Sequence, residues 1–109
     1  MKKLVVFSLA LLVAGAVSLR AADAKENWDK HCTKCHSADG TGKTKMGEKL
    51  GIKDYTDAKV QGAMTDDAMA KAIKDGVKEG EKTKMKGFGD ALNDDEIKAL
   101  VKYIRGFKK

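Results

Sequence analysis

The sequence predicts a small all-α domain in which three or four short helices are joined by long loops. Apolar residues recur at helical spacing in several segments, and no segment shows the sustained alternation of apolar and polar residues that is typical of a half-buried strand. Proline is absent, so glycines and polar caps must set the helix ends. These observations predict helices whose limits can be read from the chain.

The C-terminal helix, 94–105, has the clearest pattern. Asn93 and Glu96 stand three residues apart, as in a capping box in which Asn93 is the N-cap. Gly106 stands where a helix commonly ends. An apolar stripe at positions i, i+3, i+4 and i+7 lies between these signals, and it consists of Ile97, Leu100, Val101 and Ile104.

Three other segments also fit helices, and they are 25–34, 57–63 and 66–75. Thr56 and Thr65 are the predicted N-caps of the last two, and Gly76 ends the last one. The remaining residues form two glycine-containing loops, 37–51 and 76–92. Loops of this length are uncommon in a small domain unless they serve a function, so we expect them to enclose a bound group.

The first 22 residues are predicted to be a signal peptide, which leaves 23–109 as the domain. A basic start precedes an uncharged run, 4–19, and small residues follow it, which is the order found in secretory signals. The run has 16 residues, and a membrane-spanning helix needs about 20. An uncleaved N-terminal anchor remains the alternative. The small residues leave the cleavage point open within 21–24.

Charge and size limit what the domain can be. Removal of residues 1–22 lowers the formal charge from +6 to +3, and aromatic residues are few, so the chain lacks the features of a nucleic-acid-binding protein. The remaining 87 residues form a short chain for an independent core. A disulfide between two cysteines that are three positions apart would restrain little of the chain. Another source of stabilisation is therefore expected.

The segment Cys32-Thr33-Lys34-Cys35-His36 is a C-x-x-C-H motif, the pattern for covalent attachment of haem. Positions i and i+3 at a helix end face the same side, so both thiols can reach the two vinyl groups of one porphyrin. His36 then ligates the iron as the proximal axial ligand. This attachment requires an extracytoplasmic compartment such as the periplasm, which the signal peptide predicts independently.

A cysteine pair at this spacing also occurs in three other kinds of site. A thiol–disulfide oxidoreductase would need a βαβ setting. A zinc site could use His31 together with the cysteines and His36, but structural zinc sites normally take ligands from two separated segments. A plain structural disulfide is the third alternative. The absence of predicted strands and the adjacent His36 favour haem attachment.

A sixth iron ligand is expected if the protein transfers electrons without binding oxygen. Four methionines of the predicted domain are candidates, and they are Met46, Met64, Met69 and Met85. Met69 lies on the apolar stripe of a helix and Met64 just before a cap, so packing roles are favoured for both. Met46 follows closely behind His36, on the proximal side. Met85 lies far along the chain in a loop that can approach the opposite face, and it is the favoured distal ligand.

Four segments taken in order resemble a small class I bacterial cytochrome c with one haem. They are Cys32–His36, Gly47-Glu48-Lys49-Leu50, Met85-Lys86-Gly87-Phe88 and the helix 94–105. The resemblance covers essentially all of the domain. It implies that the N- and C-terminal helices pack together, with Trp28 and Tyr103 as candidate contacts, and that Met85 is the distal ligand.

The sequence departs from that family at two positions. Glu48 and Lys86 stand where many members have proline. The Glu48 carbonyl is expected to accept a hydrogen bond from the proximal imidazole, as any residue's carbonyl can. Lys86 leaves the Met85 loop with more freedom, so we expect a sulfur ligand that is displaced more easily than in a proline-containing relative.

The resulting interpretation is a monomeric outer-sphere electron carrier, not an enzyme, whose iron cycles between Fe(II) and Fe(III). Redox partner proteins are expected to dock on lysines near the haem edge, and these are Lys43, Lys45, Lys49, Lys82, Lys84 and Lys86. The candidate pocket residues are Leu50, Ile52, Tyr55, Val60, Ile73 and Phe88; Tyr55 could also donate to a propionate. Two alternatives remain: a haem enzyme or gas sensor with an open sixth position, and a subunit or tethered module of a larger oxidoreductase.

Overall fold

A computed structural model describes residues 14–109, so the predicted signal peptide, residues 1–22, lies largely outside the described residues. Over 14–109 the chain forms six helices and one two-stranded sheet. In order these are α1 (Ala14–His31), α2 (Thr33–His36), α3 (Lys45–Leu50), α4 (Ala58–Ala63), α5 (Asp66–Asp75), β1 (Gly76–Glu79), β2 (Lys82–Lys86) and α6 (Asp94–Arg105). None of the described helices is long and apolar enough to cross a membrane.

The core lies where α1 packs against α6. Trp28 of α1 is 1% exposed and Leu100 of α6 is 0% exposed, and they are the largest side chains that are entirely buried among the described residues. The Trp28 ring lies 5.9 Å from the Tyr103 ring and 5.0 Å from the Phe107 ring, centroid to centroid. The predicted helical fold and the packing of its terminal helices are therefore confirmed.

The two helices with complete sequence signals form as predicted. The Asn93 side chain accepts a hydrogen bond from the Glu96 N–H at 2.8 Å, and Glu96 Oε1 accepts one from the Asn93 N–H at 3.0 Å. This capping box starts α6, and its predicted apolar stripe is buried. The Thr65 side chain caps α5 by accepting from the Ala68 N–H at 3.0 Å. Local caps and apolar spacing were sufficient here because both signals agree.

The segment around the cysteines differs from its prediction. The single helix expected over 25–34 is divided between α1 and α2, with Cys32 at the junction. A short helix, α3, lies inside the predicted loop 37–51, because the Thr44 hydroxyl caps it by accepting from the Gly47 N–H at 2.8 Å. The N-cap of α4 is Asp57 and not Thr56.

The hairpin formed by β1 and β2 was not predicted and replaces part of the loop 76–92. Its strands are antiparallel, with Val77 opposite Met85, and a register shift follows Val77. Most of its residues are exposed lysines, glutamates and threonine. A strand without a buried face has no period-two pattern, so hydrophobic periodicity cannot reveal it.

Candidate haem site

An apolar cavity of about 180 Å³ lies beside the α1–α6 core. The haem-motif residues Cys32 and His36 line it on one side, and Met85 of β2 also lines it. The remaining lining comes mainly from α5 and α6, and it includes Ala68, Met69, Ala72, Ile73, Leu100 and Ile104. The fold thus brings the motif and the Met85 segment, which are far apart in the sequence, to one cavity.

Burial keeps the Cys32 thiol protonated. Removal from water raises the pKa of Cys32 to about 12, and the nearby Cys35 contributes in the same direction. A thiol–disulfide oxidoreductase needs the opposite, a cysteine whose lowered pKa favours the thiolate. The sheet of the described residues is also an antiparallel hairpin and provides no βαβ setting. Both observations disfavour that class of enzyme.

His36 is 9% exposed. Its ring stacks on Tyr55 with centroids 5.2 Å apart and lies 5.6 Å from the Trp28 ring. Burial lowers the pKa of His36, which favours the neutral imidazole that a metal ligand must be. The buried Nδ1 has no hydrogen-bond partner, so the expected bond to the Glu48 carbonyl is not formed. A neutral thiol, a neutral imidazole and a thioether around one apolar cavity fit a haem.

The zinc and disulfide alternatives find no support in the geometry. The His31 ring packs on Phe88, with centroids 5.3 Å apart. Residues 14–109 contain no group of three or more histidine, cysteine or acidic side chains placed to hold a metal ion. Cys32 and Cys35 are not joined to each other.

The methionines divide into two groups. Met64, Met69 and Met85 line the cavity, whereas Met46 is 39% exposed and lies outside its lining. Met69 is buried on the inner face of α5, as expected of a core residue. Because Met64 and Met85 both line the cavity, their positions do not show which of them is the distal ligand. Met85 as the distal ligand stays a prediction.

The other predicted site residues are only partly brought together. Tyr55 and Ile73 line the cavity, whereas the half-buried Cys35 does not. Four predicted pocket residues also lie outside the lining, and they are Leu50, Ile52, Val60 and Phe88. Two of them have other neighbours: Ile52 lies against Gly42, and Phe88 packs on His31.

Sequence reasoning missed a buried polar junction next to the cavity. Gln61 is 2% exposed, and its Nε2 donates to the carbonyls of Tyr55 at 2.6 Å and Ile104 at 2.9 Å. Arg105 donates to Gln61 Oε1 at 3.0 Å and to the Met64 carbonyl at 2.6 Å. The backbones of three cavity-lining residues are therefore tied together. A lone glutamine in a short helix carries no sequence signal for this role.

The lysines proposed for docking do not all have the same surroundings. Lys84 is half-buried, and its Nζ lies 3.1 Å from Glu79 Oε2. The Nζ of Lys86 lies 5.5 Å from the centre of the Phe88 ring. Lys43, Lys45 and Lys82 are exposed. Glu79 therefore partly neutralises the charge of Lys84 before any partner docks.

Comparisons with known proteins identify the family. The family model described as cytochrome C oxidase, cbb3-type, subunit III matches residues 19–104. Among solved structures, the c-type cytochrome KustC0563 is 37% identical with a TM-score of 0.72, and the match covers 80% of this chain and 99% of that one. A single-residue mutant of the same cytochrome is 36% identical with a TM-score of 0.69, covering 79% and 99%.

No curated protein is similar enough in sequence to count as a match. The family model nevertheless covers most of the chain, and the structural relatives agree with it in both sequence and fold. The cavity and the C-x-x-C-H motif fit the same conclusion. The chain therefore belongs to the cytochrome c family described by the cbb3-type subunit III model, and it is a small monohaem cytochrome c whose haem c is covalently bound.

Proposed function

We propose that this protein is an exported, outer-sphere electron carrier that serves redox partner proteins. The observation that carries the proposal is the apolar cavity lined by Cys32, His36 and Met85. The chain belongs to a family of c-type cytochromes, which supports electron transfer as its function. The predicted signal peptide, 1–22, supports a periplasmic or other extracytoplasmic location.

Each residue of the proposed site has one task. Cys32 and Cys35 would hold the haem covalently through thioether bonds at its two vinyl groups. His36 is the proximal ligand and Met85 the distal ligand. The bound haem supplies an iron that cycles between Fe(II) and Fe(III). Histidine–methionine ligation and an apolar lining both favour the reduced form and raise the reduction potential.

The cavity supports a carrier better than an enzyme. Apart from the proposed haem-binding residues, Tyr55 is the one titratable residue among the described residues that line the cavity. Burial, and then the neighbouring Cys32, raises the pKa of Tyr55, which keeps the phenol neutral. A haem enzyme or gas sensor would need an open sixth position, whereas here three methionines surround the cavity.

A second candidate function is membership of a larger oxidoreductase. The description of the matching family model, a subunit of a cbb3-type oxidase, favours it. Size-exclusion chromatography of the native protein distinguishes the two. Elution as a single small chain supports a freely diffusing carrier, and co-elution with other redox subunits supports a bound one.

The ligand assignment is tested by replacing two cavity methionines in the same way. We expect Met85→Ala to abolish the weak far-red sulfur-to-iron absorption band of the oxidised, haem-loaded protein, because the distal sulfur is lost. The matched variant Met64→Ala should retain the band. Loss of the band in Met64→Ala with its retention in Met85→Ala would transfer the distal role to Met64.

A further inference from the structure

The Met85 segment is part of the hairpin, and the hairpin continues directly from α5. Helix α5 ends at Asp75 and β1 begins at Gly76, so no loop separates them. The strands then place Val77 opposite Met85 and Gly76 opposite Lys86. Met85 is therefore fixed by strand pairing to the end of the helix that supplies Ile73 and other cavity-lining residues.

Gly76 makes this connection sterically feasible. Its φ is +84°, a left-handed backbone conformation that other residues adopt only at a cost. A Cβ at this position would lie 2.5 Å from the carbonyl oxygen of Met85 and 2.7 Å from the backbone nitrogen of Gly87. Both neighbours are backbone atoms, so they cannot rotate away. Any side chain at Gly76 must push the Met85 segment from its position.

The chain after Met85 is held by the same helix end. The N–H groups of Phe88 and Gly89 donate to the carbonyls of Ile73 at 2.8 Å and Lys74 at 3.0 Å. These carbonyls belong to the last turn of α5, where helical partners are missing. A Cβ on Gly87 would lie 2.6 Å from the Lys74 carbonyl oxygen, so this approach also requires glycine.

We propose that Gly76 is the positioning residue of Met85. Gly76, Gly87 and the paired strands form a clamp, here called the hairpin clamp, which holds the Met85 thioether at the cavity. The inference rests on the proposed function, in which Met85 is the distal ligand. The hairpin clamp restrains the Met85 segment, as a proline after the ligand methionine does in relatives that have one. This restraint acts against the easier displacement of the sulfur ligand that Lys86 predicts. That easier displacement stays a prediction.

The test is an imidazole titration of the oxidised, haem-loaded protein with the sulfur-to-iron band as a second readout. We expect Gly76→Ala to lower the apparent dissociation constant of imidazole about tenfold, because the strained Met85 segment competes less well for the iron. The sulfur-to-iron band should weaken in parallel. Far-UV circular dichroism and the amount of covalent haem report separately on folding and loading.

Gly80→Ala is the matched control. Gly80 also has a positive φ, +64°, but a Cβ there would meet no atom within 4 Å. The control therefore places a side chain on another positive-φ glycine of the hairpin without crowding Met85, and we expect less than about a twofold change in imidazole binding. Gly87→Ala crowds the clamp from the other side and should shift binding in the same direction as Gly76→Ala.

Equal shifts in Gly76→Ala and Gly80→Ala would overturn the clamp, as would unchanged imidazole binding in Gly76→Ala. Met85→Ala separates this result from a failure of the proposed ligation. A band that survives in Met85→Ala shows that Met85 is not the ligand. A band that is lost in Met85→Ala but unchanged in Gly76→Ala and Gly87→Ala removes the clamp alone.

Discussion

The packed terminal helices and the hairpin serve the same cavity in different ways. Helix α6 buries four side chains against the core, and two of them, Leu100 and Ile104, also line the cavity. The hairpin has no buried residue, and its lining residue Met85 is only half-buried. One region therefore contributes by burying apolar surface, and the other by backbone pairing and close glycine contacts.

This difference separates stability from ligand control. Segments with few buried contacts open locally at a lower free-energy cost than a packed core. The hairpin can therefore loosen without unfolding α1 and α6. Changes in the core should alter the free energy of unfolding, whereas changes in the hairpin should alter the behaviour of the distal ligand.

The largest expected effect on stability is in the core. Ile97 is 3% exposed on α6 and does not line the cavity. We expect Ile97→Ala to lower the free energy of unfolding of the haem-loaded protein by about 2–5 kcal/mol, since it leaves a cavity. Guanidinium unfolding followed by far-UV circular dichroism measures it. Val77→Ala, in the exposed hairpin, should change the free energy of unfolding by less than about 0.5 kcal/mol. Equal losses of unfolding free energy in the two variants would contradict this difference between core and hairpin.

A smaller loss is expected at the polar junction. Gln61→Met keeps a similar side-chain size but removes the donors to the Tyr55 and Ile104 carbonyls. We expect a destabilisation of about 1–3 kcal/mol in the same unfolding assay, because buried partners lose their hydrogen bonds. Lys59→Met, an exposed change in the same helix, is the control. A Gln61→Met protein as stable as this control would show that the junction contributes nothing measurable.

The hairpin lysines should affect electron transfer more than stability. With hexacyanoferrate(III) as an anionic probe, the rate of oxidation should fall as salt rises, because salt screens the attraction. Lys82→Gln should lower the low-salt rate about twofold. Lys84→Gln should lower the low-salt rate by a similar factor, since it removes one positive charge and leaves its partner Glu79 uncompensated. A rate independent of salt would exclude electrostatic steering by these lysines.

The smallest expected effect lies in the turn that follows His36. Hydrogen bonds from the hydroxyl groups of Ser37 and Thr41 lower the pKa of Asp39 from 3.8 to about 2. A lowered pKa means that the stabilisation is present above about pH 3.8 and is lost as the pH falls towards 2. Asp39→Asn should therefore lower Tm slightly at pH 6, with a difference that shrinks as the pH falls from about 4 through 2. A difference that is as large at pH 2 as at pH 6 would contradict this assignment.

The predictable parts of this protein are those with local signals. Helix α6 has a capping box and an apolar stripe, and the haem motif has fixed spacing, so neither requires knowledge of the tertiary fold. The hairpin could not be predicted because its lysine-rich strands have no buried face, and its pairing depends on how Gly76 meets Met85. The burial of Gln61 likewise depends on Arg105, which is 44 residues away in the chain.

The most direct test of the central claim is the visible absorption spectrum of protein matured in an export-competent host. It is recorded in the oxidised and reduced states, with and without carbon monoxide. A covalently held haem that is low-spin in both states, shows a sulfur-to-iron band when oxidised and does not respond to carbon monoxide is the predicted result. High-spin features or ready carbon monoxide binding would contradict a methionine-ligated electron carrier.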